Sequence, residues 1–190
     1  MEADWAAEVG AGLPGVEADW AGFVDLRINP FRLSEIAEAS EYPALWEMLV
    51  DLNDTFSRVF SVKCDVWALG AEEIDPLEFD CVASGKIAGM ASYIDIVLRD
   101  DFLLTAFAWH ERWARAAVDR LRASPLRAGR VDLVIRAARA GGREGFGITL
   151  YAAGCGADTQ AARGAWEGIL RAGVAATMET VPPGASSSIG

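Results

Sequence analysis

A single histidine, His110, stands among the 190 residues, and neither a CxxC nor an HxxxH spacing occurs. A structural zinc site built from His and Cys is therefore not expected, because it needs about four clustered ligands. The three cysteines, Cys64, Cys81 and Cys155, are odd in number and lack framework spacing. They predict free thiols in a reducing compartment rather than a disulfide scaffold. No apolar run approaches the roughly 20 residues of a bilayer-spanning helix. The opening Met1-Glu2-Ala3-Asp4-Trp5 is acidic where an export signal would be basic, and no apolar stretch follows it. A cytoplasmic location with no membrane partner is the expectation. Lysine is nearly missing, with two against fifteen arginines.

Apolar residues make up 52% of the chain and charged residues 24%, which suits a packed core and a single domain. Net charge is −11, with 28 acidic against 17 basic residues. The excess is uneven: residues 1–95 carry 19 acids and 5 bases, whereas residues 96–190 carry 9 acids and 12 bases. Nine arginines fall within 112–143, against only Asp119 and Asp132. Such a cluster either forms an anion-binding patch or pairs with the acidic half inside the fold or across a dimer. The overall acidity argues against a nucleic-acid partner, which would be repelled at long range.

Five segments alternate apolar and polar residues as half-buried strands do. They are Phe23 to Ile28, Val62 to Leu69, Tyr93 to Arg99, Val131 to Ala138 and Phe146 to Ala152. Ala140-Gly141-Gly142 supplies a hairpin turn between the last two. Three helices are predicted: one from an N-cap at Ser40 to about Asn53, one from Asp100 or Asp101 to about Ala123, and one from Asp158 to about Met178. Trp46, Trp113 and Trp166 fall on their inward faces, and Gly164 and Gly168 would allow close approach of the third helix.

The resulting fold class is α+β, a two-layer sandwich with a mainly antiparallel five-stranded sheet and helices on one face. Its βαββαβ order matches the ferredoxin-like pattern with strand order 4-1-3-2, plus an added β-α. Residues 1–22 are expected as a loosely held lead-in, 23–180 as the single domain and 181–190 as a disordered tail. The pentapeptide Glu2-Ala3-Asp4-Trp5-Ala6 recurs as Glu17-Ala18-Asp19-Trp20-Ala21, without further repeats.

A sheet covered on one side leaves a polar face. That face would gather Asp25, Arg27, Lys63, Asp65, Trp67, Tyr93, Asp95, Arg99, Asp132, Arg136, Thr149 and Tyr151. Asp65, Trp67, Tyr93, Asp95, Asp132, Arg136 and Tyr151 are the candidate binding residues, with aromatics for stacking and charges for orientation. Three carboxylates on central strands are a conceivable Mg²⁺ site. The alternatives are a lattice of cross-strand ion pairs, or a face covered by the N-terminal segment or by a second subunit.

Cys155 sits between a strand and a helix, where a thiol can be activated, and His110 is the one imidazole that could serve it as base. His110 lies on an apolar helical stripe, a placement more typical of core packing. Gly10-Ala11-Gly12-Leu13-Pro14-Gly15 matches GxGxxG in letters only, since no strand is predicted ahead of it. The long loop spanning 70–90 carries five carboxylates and would suit a basic partner or a solvated lid. No cofactor or metal is implied. The expectation is a non-catalytic binding or interaction domain, working as a homodimer or with a protein partner through the polar face or the acidic loop. A small cysteine-dependent enzyme using Cys155 and His110 for acyl transfer or hydrolysis is the alternative.

Overall fold

The strongest alternation in the chain builds the centre of the sheet. Strands β5 (Gly129–Ala140) and β6 (Arg143–Gly156) form a long hairpin in this computed structural model, which describes residues 1–10, 15–75, 78–79 and 87–181. Gly141 and Gly142 turn the chain with φ of 58° and 74°, the left-handed pair that matches the twist of the flanking strands. Strands β3 (Val59–Leu69) and β4 (Ala88–Leu98) pair antiparallel with each other, and β4 pairs antiparallel with β6. Strands β1 (Glu2–Glu8) and β2 (Val16–Glu17) both run parallel to β5 along its free edge.

The molecule is α+β with a six-stranded sheet and helices on one side, but the sheet is mixed and its order is β1-β5-β6-β4-β3. The expected 4-1-3-2 order is not found. The predicted fifth strand, β6, takes a central place between β4 and β5, while β1 lies at the edge. Alternation fixes which face a side chain occupies and is silent about which strands are neighbours.

The expected first strand, Phe23 to Ile28, is not a strand: 23–25 are irregular and 26–28 form a turn. Asp25 accepts a hydrogen bond from the Arg27 backbone N–H at 3.0 Å and pairs with the Arg27 guanidinium at 2.6 Å. Such local side-chain bonding competes with a sheet ladder. The first strand forms instead within the segment expected to be loose. Ala3 and Trp5 turn toward the helices, and Glu2, Asp4 and Glu8 toward the other face. The Met1 ammonium donates to the Leu126 carbonyl at 2.6 Å, and Arg122 Nε donates to the Ala3 carbonyl at 2.9 Å. Of the predicted tail, all but Val181 lies outside the described residues, as do positions 11–14 of the GxGxxG-like stretch.

Helices α2 (Pro43–Asn53), α4 (Phe107–Arg122) and α5 (Thr159–Glu179) cover one face of the sheet. Ser40 is not the cap of α2: it lies within the short α1 (Ala37–Glu41), and Pro43 opens α2 at its first turn. The second predicted helix is broken at Thr105-Ala106 into α3 (Asp101–Leu104) and α4, and Asp100 caps the first piece. Asp158 caps α5 as expected, accepting from the Ala161 N–H at 2.8 Å.

Trp113 and Trp166 are fully buried in this layer, and their indole N–H groups are satisfied by the Thr177 carbonyl at 2.8 Å and Ser92 Oγ at 2.9 Å. Trp46, expected in the core, is 37% exposed. Close approach is made at Gly154 of β6, where a β-carbon would collide with the Trp166 backbone, and not at Gly164 or Gly168.

Candidate functional site

The strand registers place the expected binding residues on one surface. Side chains at odd positions of β6 and even positions of β5 point away from the helices. Asp65 of β3, Tyr93 of β4, Tyr151 of β6 and Asp132 of β5 form one cross-strand row. Lys63, Asp95 and Thr149 form the next row. Trp67 lies two residues from Asp65 on the same face, so its ring centroid stands 6.4 Å from that of Tyr93, which is 6.1 Å from that of Tyr151. These are stacking distances for tilted rings. All three rings are half-buried.

Both ends of this face are sealed by the chain itself. At one end Val16, Ala18 and Phe23 pack on Phe60, Val62, Val97 and Ala138. Asp19 fastens that flap by accepting the N–H groups of Gly141 and Gly142 at 3.2 and 3.0 Å. At the other end Ile74 and Phe79 pack with Cys155, Leu69 and Ala153, and Glu78 pairs with Arg130 at 3.2 Å. The described part of the acidic 70–90 loop is therefore partly a packed cap. Between the two flaps Trp67, Tyr93 and Tyr151 are half-buried, and Asp95 and Thr149 beside them are buried.

The strip is held by charge pairs. Arg130 grips Asp132 through Nε at 2.6 Å and Nη2 at 2.9 Å. Arg136 Nη2 bonds Glu8 at 2.9 Å and the Tyr151 hydroxyl at 3.3 Å. Asp95 is 4% exposed and accepts a 2.6 Å hydrogen bond from Thr149 Oγ1. Burial pushes its carboxyl up to about 6, against the lowering pull of the Thr149 hydroxyl, Arg136 and Lys63. Burial, with Asp95 and Asp65 nearby, pushes the Tyr93 phenol up to about 12.

Glu8 and Arg130 were not among the expected strip residues. The alternation of residues 2–8 is the signal that points to Glu8. Arg99, expected on this face, instead donates to the carbonyls of Val59, Asn53 and Asp54. Asp25 and Arg27 lie in the flap, with the Arg27 guanidinium 3.7 Å above the Phe60 ring.

A β-bulge between Ser61 and Lys63 corrects the expected faces of β3. Val62 turns to the polar side with Phe60, and Cys64 remains on the helix side.

Asp65, Asp95 and Asp132 do not converge as a Mg²⁺ site would require. Tyr93 and Tyr151 stand between Asp65 and Asp132, three strand spacings or about 14 Å apart. Among the described residues no three His, Cys, Asp or Glu side chains are grouped to hold a metal ion.

The arginine cluster is consumed internally. Arg122 reaches Asp4, Arg136 reaches Glu8, Arg139 reaches Glu17 and Glu144, and Arg143 reaches Asp101. Arg122, Arg130, Arg136 and Arg139 thus pair with the acidic half, and Arg115, Arg120 and Arg143 with carboxylates of their own half, which weakens the case for an anion-binding patch.

The proposed nucleophile and base are not brought together. Cys155 is 1% exposed, is disulfide-bonded and sits on the polar face of β6. His110 lies on the opposite face, fully buried against Phe146 and Trp113, with Nδ1 3.2 Å from the Ala106 carbonyl oxygen. The sheet lies between them. Burial also lowers the pKa of the imidazole, which keeps the ring neutral. The expectation of free thiols is corrected for Cys155. Cys64 is a free thiol, Cys81 lies outside the described residues, and cysteine usage no longer points to a reducing compartment. Burial first, then Glu38, Asp65 and Asp95, push the Cys64 thiol up to about 12, so it is a poor nucleophile near neutral pH.

Among the described residues no helix is long and apolar enough to cross a membrane. In comparison with known proteins, the chain matches no family model, no curated protein and no solved structure.

Proposed function

We propose that the protein is a non-catalytic binding domain that engages a basic protein surface through its polar strip. One observation carries this reading. The described segments cover the apolar ends of the face as flaps, yet leave the Trp67–Tyr93–Tyr151 row part-exposed on paired strands. Aromatic side chains held at fixed spacing are what binding hot spots are made of. The charge of the strip sets the partner's sign. Asp65 forms no ion pair among the described residues, Lys63 faces Asp95 across the ladder, and Arg130 and Arg136 are already matched to Asp132 and Glu8. With a net charge of −11, the molecule as a whole would steer a basic partner toward it. A second copy of the chain is the poorer fit, because a two-fold contact would set strip against strip with like charge.

The test is capture from a lysate of the source cells on immobilised full-length chain, comparing wild type with a Trp67→Ala/Tyr151→Ala double variant. Partners recovered by wild type, weakened at high salt and lost in a folded double variant are the expected result. Equal recovery by the variant overturns the reading. Light scattering of the purified chain separates off self-association: a concentration-dependent dimer abolished by the same variant would favour the homodimer instead.

A further inference from the structure

Next to the strip, the sheet edge opens into a cavity of about 360 Å³. It forms where β3 bulges: the slipped ladder turns that part of the strand away from a flat edge, and the flap on one side and α1 on the other close over the gap. Trp20, Val24, Leu26, Ile36, Leu49 and Tyr93 give it an apolar lining. The volume suits a small ligand of one ring or a short alkyl chain.

The charges around the cavity differ in how they are engaged. Glu35 is held by Arg32 through both carboxylate oxygens, at 2.9 and 2.8 Å. Lys63 lies 5.2 Å from the Trp20 ring centroid and faces Asp95 across the ladder. Neither Lys63 nor Glu38 forms an ion pair or side-chain hydrogen bond among the described residues, but the Lys63 charge is met by the Trp20 ring and by Asp95, whereas Glu38 has no opposite charge set against it. The Cys64 thiol in the wall feels the field that results: after burial, the groups acting on it are the carboxylates of Glu38, Asp65 and Asp95.

We propose that this cavity binds a small apolar amine, with the hydrocarbon body between Trp20 and Leu49 and the ammonium on the Glu38 carboxylate. An apolar slot with one unmatched carboxylate at its wall favours a ligand that brings both surface and positive charge. An anion would meet Glu38 uncompensated, and a neutral analogue would leave it so. The site goes beyond the partner-binding strip and needs neither Trp67 nor Tyr151.

Isothermal titration of the full chain with 2-phenylethylamine, 2-phenylethanol and 3-phenylpropionate tests it. The amine is expected to bind at least about tenfold more tightly than the alcohol, as one charge-assisted hydrogen bond implies. The carboxylate should bind most weakly. Glu38→Gln should erase the preference for the amine over the alcohol. Ala37→Phe, at an exposed position of the lining, should weaken both ligands by filling the space. Three results would overturn the site: no saturable heat with the amine, equal affinity for amine and alcohol, or a preference that survives Glu38→Gln. If Ala37→Phe does not fold, Glu38→Gln decides alone. The Trp67→Ala/Tyr151→Ala variant should bind the amine as wild type does, so failure of the strip and failure of the cavity are read separately.

Discussion

The two faces of the sheet arise from the same strands and are finished in different ways. On one side Ile94, Ile96, Leu133, Ile148 and Leu150 meet three helices in a single continuous core. On the other side two separate small clusters occupy the ends, and a strip of rings and charges lies between them. The first face is sealed by periodic elements that the sheet itself selects. The second is sealed by irregular segments only where it is apolar. Stability should therefore reside mainly in the first face and binding in the second.

The largest expected effect tests the first half of that contrast. Trp166 is fully buried, bonds Ser92 and packs edge-on to Tyr42 at 5.5 Å. Trp166→Ala should cost about 3–5 kcal/mol and leave the Ser92 hydroxyl unpaired. Urea unfolding followed by circular dichroism measures it. A loss under about 1 kcal/mol would mean that the helix face is not the stabilising one.

Phe60→Ala addresses the flap on the second face. Phe60 is 2% exposed and holds Val16, Ala18 and Phe23 against the sheet. The expected cost is about 3 kcal/mol. It should fall locally, releasing the flap while the helix face stays closed. Hydrogen exchange at the Ala18 amide, which bonds the Arg139 carbonyl at 2.8 Å, should then accelerate far more than exchange in β6. Uniform acceleration would make the two faces one cooperative unit.

This division also explains what could be read from sequence. Val131, Leu133 and Ile135 opposite Asp132 and Arg136 gave the right faces because a strand repeats every two residues. The seven expected residues share one face for that reason. Neighbour order was not readable, because period two carries no information about pairing. The two identical pentapeptides make the same point. In the first copy Ala3 and Trp5 face the helices from a parallel edge strand. In the second, Ala18 is buried within the flap against the opposite face and Trp20 is 39% exposed beside the cavity. Five shared letters adopt two roles because β5 offers its edge to one and its far end to the other. The cavity was unreadable for a related cause: it depends on a bulge and on residues from three separate segments.

Asp95 sharpens the comparison at its midpoint, being a buried charge on the face that is not built for burial. Its carboxyl is held up to about 6, above the 3.8 of an ordinary Asp. Below about pH 4 the group is protonated in folded and unfolded chains alike. Between about 4 and 6 the unfolded chain ionises it while the folded chain keeps the proton, so stability falls as pH rises through that window. Above it the penalty is constant, on the order of 3 kcal/mol. Asp95→Asn keeps an acceptor for Thr149 and removes the charge. It should stabilise the protein by about that much at pH 8 and hardly at all at pH 4, as urea unfolding at both values would show. Destabilisation at pH 8 would mean that Arg136 and Lys63 outweigh the burial.

The smallest effect belongs to Tyr151→Phe, and its smallness is informative. The Tyr151 hydroxyl takes a long 3.3 Å hydrogen bond from Arg136, whose Nη2 also holds Glu8 at 2.9 Å. Removing the hydroxyl leaves the ring in its row beside Tyr93 and leaves Arg136 with its carboxylate. A cost under about 1 kcal/mol is expected from thermal unfolding. If the strip exists to bind, the same substitution should reduce partner capture by a larger factor than any such stability loss would produce. The Arg136 donor it frees would need a new acceptor inside a closed interface, where an unmet donor costs more than it does in water. A variant that loses stability and partner capture in proportion would show that Tyr151 serves the fold alone, and the contrast between the two faces would then rest on Trp67 and Tyr93.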